Sequence, residues 1–114
     1  MQNGQLKLVI IIASDSDADR LMKRLIEQGL PATKIGSTGG FLHRGSATIL
    51  SGVEGSEVDQ VLAMVRAECH ARTEFVPVQM LPFFGEGTTL VEPVEVRVGG
   101  AIVFVLNVEC FEKT

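Results

Sequence analysis

Two stretches, Leu8-Val9-Ile10-Ile11-Ile12 and Ala101-Ile102-Val103-Phe104-Val105-Leu106, are apolar at every position. Successive side chains of a strand point to opposite faces. Each run therefore presents hydrocarbon on both sides of whatever sheet it joins. Two amphipathic stripes lie between them. Ala18, Leu21, Met22, Leu25 and Ile26 recur at helical spacing, and so do Val58, Val61, Leu62, Val65 and Cys69. Two helices can cover one face of a small sheet. The other face keeps a broad apolar patch that needs a cover. Self-association, with sheets from several subunits turned inward in a closed ring, is the economical solution. The rival cover is the long segment Arg72 to Glu92 folding underneath.

The order of elements follows from the punctuation. Leu6 to Ala13 reads as a strand that stops at Ser14-Asp15-Ser16, where side-chain oxygens can cap a helix. Gly29 ends that helix. Strands are expected over about Ala32 to Ser37 and Ala47 to Val53, separated by the loop Gly39 to Gly45. Gly55-Ser56 opens the second helix. From Arg72 to Glu92 no period survives, and Pro77, Pro82, Gly85 and Gly87 interrupt the segment. Two strands close the chain, Pro93 to Val98 and Ala101 to Val108, joined by Gly99-Gly100, a pair suited to a tight hairpin. The order β-α-β-β-α-β with a final hairpin strand predicts an α+β fold, a ferredoxin-like sandwich with both helices on one face of a mostly antiparallel sheet.

At 114 residues, 46% hydrophobic and 21% charged, the chain is expected to form one globular domain spanning 1–114. A formal net charge of -4 argues against a broad surface for polymeric nucleic acid. No apolar run is long enough to span a bilayer, and the first residues lack the pattern of a signal peptide. The expectation is a cytoplasmic protein without membrane contact. Cys69 and Cys110 lack CxxC spacing and are expected as free thiols.

The segment Thr33-Lys34-Ile35-Gly36-Ser37-Thr38-Gly39-Gly40-Phe41-Leu42 carries the clearest chemistry. Adjacent glycines let backbone N–H groups approach an anion closely. Ser37 and Thr38 add hydroxyls, Lys34 adds a charge, and Phe41 offers a face on which a base can stack. Phosphate donors beside an aromatic ring suggest a nucleotide. Taken alone, the Gly-Gly pair reads more simply as a β-turn.

Other candidates read more plainly. The spacing of His43, Cys69, His70 and Cys110 matches no zinc pattern, so no metal site is assigned. Asp15, Asp17 and Asp19 alternate at the start of the first helix, where its positive end favours them. Glu92, Glu95, Glu109 and Glu112 read as solvated. No set of nucleophile, base and orienting group stands out, so no catalytic residue is assigned and the chain is expected not to be an enzyme. Phe83-Phe84 forms an apolar tip on the long loop.

These residues resemble a known family. Thr33-Lys34, Ser37-Thr38-Gly39-Gly40-Phe41-Leu42 and Gly45 resemble the signature of the PII-like cyclic di-AMP receptor proteins. So do Gly52-Val53, Cys69 with Arg72, Pro93-Val94-Glu95-Val96 with Val98-Gly99-Gly100-Ala101, Val103-Phe104-Val105 and Val108-Glu109. The resemblance covers nearly the whole chain from about Leu6. It implies a homotrimer of ferredoxin-like subunits that binds cyclic di-AMP in clefts between neighbours, has no reaction or cofactor of its own, and signals to a downstream protein by loop reordering. Carried over by residue, it implies Thr33, Ser37, Thr38, Gly39, Gly40, Phe41, Leu42 and Gly45 as ligand contacts, with Phe41 and Leu42 packed on an adenine. Pro31 stands where family members often carry Arg, and Ser46 where they often carry Asn. Arg44, beside His43 in the same loop, supplies a replacement positive charge in this reading. These departures keep two alternatives open: a PII-like sensor of ATP or AMP, and a divalent-metal-binding trimer of the cation-tolerance type.

Overall fold

The computed structural model describes residues 5–36, 45–76 and 94–114. Strand β1 (Leu6–Ser14) leads into helix α1 (Asp15–Glu27), followed by β2 (Thr33–Gly36) and β3 (Ser46–Glu54). A 3-10 turn (Gly55–Glu57) feeds α2 (Val58–Cys69), and β4 (Arg72–Val76), β5 (Val94–Val98) and β6 (Ala101–Asn107) complete the order.

Local chemistry sets the helix ends. The Ser14 hydroxyl accepts from the Asp17 amide at 3.4 Å, which caps α1 as its position requires. At the other end Gly29 takes φ +75°. The Gly29 amide bonds to the Ile26 carbonyl and the Leu30 amide to the Leu25 carbonyl, both at 2.9 Å. This closes the last turn and drops Leu30 into the core. The turn before α2 is held by a reciprocal capping box between Glu54 and Glu57.

The main sheet has the strand order β2-β3-β1-β6, with every neighbouring pair antiparallel. With both helices packed over it, this is the ferredoxin-like sandwich expected from the sequence. Val9, Ile11 and Ala13 of β1 and Ala47, Ile49 and Val53 of β3 bury against Leu21 and Leu25 of α1 and Val61 and Val65 of α2. Ile26, counted in the α1 stripe on spacing alone, lies just beyond its edge and is exposed.

The closing strands differ from expectation. Gly99 and Gly100 both take positive φ, +81° and +86°, yet β5 and β6 do not pair as a hairpin. Strand β6 joins β1 in the main sheet, while β5 pairs with β4 in a separate two-stranded ribbon. The glycines turn the chain from one sheet into the other. Strand β4 lies inside the segment expected to carry no regular structure; five residues are too few for a period to stand out. The rest of that segment, with Phe83-Phe84, lies outside the described residues.

The face of the main sheet away from the helices is apolar in cross-strand rows. One row reads Thr33, Leu50, Ile10, Phe104; the next reads Ile35, Thr48, Ile12, Ile102. Phe104, Ile102, Leu106 and Ile35 are each about half exposed: 51%, 57%, 46% and 49%. The apolar patch expected from the two runs is present and uncovered among the described residues; most of its rival cover, the segment Arg72 to Glu92, lies outside them.

Candidate functional site

One end of the sheet brings together several strand, helix and loop ends. Pairing of Ser14 with Ser46, and of Ala13 with both Ala47 and Ala101, aligns the end of β1 with the starts of β3 and β6. Gly36 closes β2 opposite Ala47. The N-terminus of α1, both ends of the glycine-bearing connection and the turn at Gly99-Gly100 therefore share one rim.

Of the residues expected to contact ligand, Thr33 and Gly45 are described. Ser37, Thr38, Gly39, Gly40, Phe41, Leu42 and Arg44 lie outside the described residues, as does His43. Thr33 is exposed on β2, in register with Leu50, so its side chain shares the open apolar face. The Gly45 carbonyl accepts from the Asp15 amide at 3.0 Å, which fastens the end of the glycine segment to the first turn of α1. Ser14, Asp15, Ser16 and Gly45 line a hollow of about 180 Å³ there. A second hollow, about 390 Å³, lies between Leu62, Val65 and Cys69 of α2 and Gly100, Ala101 and Val103 at the start of β6.

The cations divide unequally. Lys34 faces the helices and pairs with Asp19 at 2.5 Å, and that bond holds its ammonium above its ordinary pKa. Arg20 and Arg72 both reach the Oδ1 atom of Asp17, Arg72 at 3.3 Å. Arg24 meets Glu68 at 2.8 Å. The three alternating acids of α1 thus have separate surroundings. Asp15 lines the hollow by Gly45, Asp17 is fully buried between two arginines, and Asp19 holds Lys34. Helix-end placement alone did not foretell the burial of Asp17; its partner Arg72 is 55 residues away.

Cys69 is buried, as its place on the α2 stripe predicts, and burial pushes its thiol up to about 11. Cys110 is free and exposed. The exposed His70 ring lies 3.3 Å from the Ala67 carbonyl. Among the described residues no three His, Cys, Asp or Glu side chains converge as a metal site would require. Among them, too, no helix is long and apolar enough to cross a membrane.

Comparison with known structures finds the same architecture in other proteins. A functionally unknown protein from Pediococcus pentosaceus is 39% identical, with TM-score 0.73 over 96% of this chain and 98% of that one. CPII from Thiomonas intermedia, in a structure with ADP, AMP and acetate, is 17% identical, with TM-score 0.57 over 98% of this chain and 94% of its own. GlnK from B. subtilis, solved as an ATP complex, is also 17% identical, with TM-score 0.56 over 95% and 85%. The latter two show likeness of fold. Residues 6–114 match the model of the cyclic-di-AMP receptor family, and the chain belongs to that family.

Proposed function

We propose that this protein is a non-enzymatic PII-like signal-transduction protein that binds cyclic di-AMP at the seam between identical subunits and signals by reordering of loops. The observation that carries this reading is the family match over residues 6–114. The exposed rows through Ile10, Phe104 and Leu50 support association. Among the described residues of one chain nothing covers them, and sheets packed face to face in a homotrimer would bury them.

In this reading the glycine segment lies at the rim of that seam. Backbone amides near Gly39 and Gly40 and the hydroxyls of Ser37 and Thr38 compensate the phosphates, while Phe41 and Leu42 pack on an adenine. Thr33, on the open face, and Gly45, fastened to α1, bracket the ligand segment. Arg44 adds charge in place of the Arg that Pro31 displaces. A downstream protein reads the altered loop order, and a ligand shifts that order only by as much as its affinities for the two states differ. The reading gives the protein no resident cofactor and places it in the cytoplasm.

A second reading keeps the assembly and changes the ligand to AMP or ATP. Pro31 and Ser46 favour it, because they remove side chains that could grip a second phosphate or adenine. The like-folded CPII and GlnK structures with adenine mononucleotides give it a structural parallel. Calorimetry against cyclic di-AMP, cyclic di-GMP, ATP, AMP and zinc separates the possibilities. Heat with cyclic di-AMP alone supports the first reading, and heat with a mononucleotide alone replaces it with the second. Heat with zinc alone would point to a metal-binding trimer.

A further inference from the structure

We propose that Asp17 is a positioning residue that anchors the β4–β5 ribbon to the first turn of α1, linking the order of the ribbon to the glycine segment; the linkage to ligand rests on the reading above. Among the described residues the ribbon has little else to hold it. Its two strands form a sheet of their own, and a two-stranded sheet is marginal alone. Phe75 on β4 is 67% exposed, and among the ribbon's described side chains Val98 alone is buried. Its orientation therefore depends on its root.

Asp17 sits at that root. Its carboxylate is fully buried, and Oδ1 accepts from Arg72, the first residue of β4, at 3.3 Å. Arg72 also donates to the His70 carbonyl at 3.2 Å and pairs with Glu74 at 3.3 Å. Its side chain is thus held along the start of the strand. The second oxygen, Oδ2, finds no hydrogen-bond partner among the described residues. It faces Gly99, just past the end of β5, so closely that a Cβ there would lie 3.3 Å away. One carboxylate therefore bonds to the start of β4 and lies beside the turn that follows β5.

The same helical turn holds the glycine segment. The Asp15 amide donates to Gly45 two residues before Asp17, within a turn whose cap is Ser14. A shift of Gly45 toward or away from a ligand moves that turn, and Asp17 carries the movement to the ribbon. Arg20 touches Asp17 without touching the ribbon; it turns instead to Glu68. It serves as an internal control.

Hydrogen exchange on the full chain, read by mass spectrometry with and without cyclic di-AMP, tests the proposal. Without ligand, Asp17→Asn should speed exchange at 72–76 and 94–98 by about tenfold, leaving β1 and β3 unchanged, as local opening of one unit predicts. Arg72→Gln should do the same, Arg72→Lys should restore most of the protection, and Arg20→Gln should leave the ribbon as in wild type. With ligand, Asp17→Asn should bind with heat and lack the change that wild type shows in the ribbon. Wild-type exchange in the ribbon of Asp17→Asn and Arg72→Gln overturns the anchor, whatever the protein binds. Should Asp17→Asn fail to fold, the Arg72 pair decides. Absence of any nucleotide heat in wild type overturns the ligand reading and its linkage to the ribbon, and the ligand-free exchange then judges the anchor by itself.

Discussion

The Lys34 ammonium lies 2.5 Å from the Asp19 carboxylate, tying β2 to the first helix. A lysine that the sequence offers to phosphate is already neutralised. Replacing Asp19 by Asn frees it and removes a competing negative charge near the glycine segment. The expected result is about twofold tighter binding of cyclic di-AMP at low ionic strength, fading at high salt because exposed charges are screened. Calorimetry at two salt concentrations checks this; equal affinity in both proteins would contradict it. The pH dependence has a definite sign. Asp19 raises the Lys34 pKa above 10.5. The pair's contribution is complete below 10.5 and disappears as pH rises through the raised value.

Ser51 is fully buried in β3 and donates to the Pro31 carbonyl at 2.7 Å, fixing the approach to β2. Ser51→Ala leaves that carbonyl without its partner and should cost about 1–2 kcal/mol in urea unfolding. Nucleotide affinity should fall with it, because Thr33 lies two residues beyond Pro31.

Gly99 permits a turn that other residues would not. At φ +81° a Cβ would collide with the His70 carbonyl oxygen and lie 2.5 Å from Arg72 Nη1. Gly99→Ala should destabilise the fold by about 3 kcal/mol, combining left-handed strain with displacement of backbone. Gly29→Ala carries the strain without the collision, since nothing lies within 4 Å of its Cβ position. It should cost about 1 kcal/mol. Thermal melts of the two variants test the difference.

The thiols should separate cleanly. Near pH 8 Cys110 should take up a maleimide in the native protein, while Cys69 should react only after denaturation. Cys69 is buried, with a thiol at about 11. That raised pKa also predicts an alkaline loss of stability. Its contribution is complete below about 9, where unfolded thiol titrates, and declines as pH rises toward 11. Cys69→Ser should flatten that part of the pH profile.

The open sheet face predicts the assembly. Phe104 is half exposed in the subunit and stands opposite Ile10. Wild type is expected to sediment as the proposed homotrimer, and Phe104→Asp as a monomer that has lost nucleotide binding. A wild-type monomer would contradict the intersubunit seam.

The legible parts of the fold were those set by short-range pattern. Apolar runs bounded by turn residues located the four strands of the main sheet, helical spacing located both helices, and Ser14 and Gly29 marked the ends of α1 because capping is local chemistry. The ferredoxin-like order followed, since few topologies suit β-α-β-β-α-β. Strand pairing across Gly99-Gly100 was not legible. Two glycines signal a reversal, and nothing adjacent says which sheet receives the next strand. The same limit hid Asp17. A carboxylate at a helix start reads as a dipole partner until Arg72, far along the chain, arrives beside it. At the site, the glycine signature carried the family resemblance. The Asp15–Gly45 bond that fastens its end comes from backbone atoms, which leave no mark in the residue types.

The placement of β6 beside β1 has a consequence during synthesis. Lys7 and Asn107 face each other across 100 residues, with the Lys7 ammonium donating to the Asn107 amide oxygen. As the ribosome releases the polypeptide, β1 can pair with β3 on one flank while the other stays bare until Ala101–Asn107 emerges. Nascent or prematurely terminated chains would offer that unmet edge to each other, so quality control in the cell should bear most heavily on molecules that stop short of the final strand.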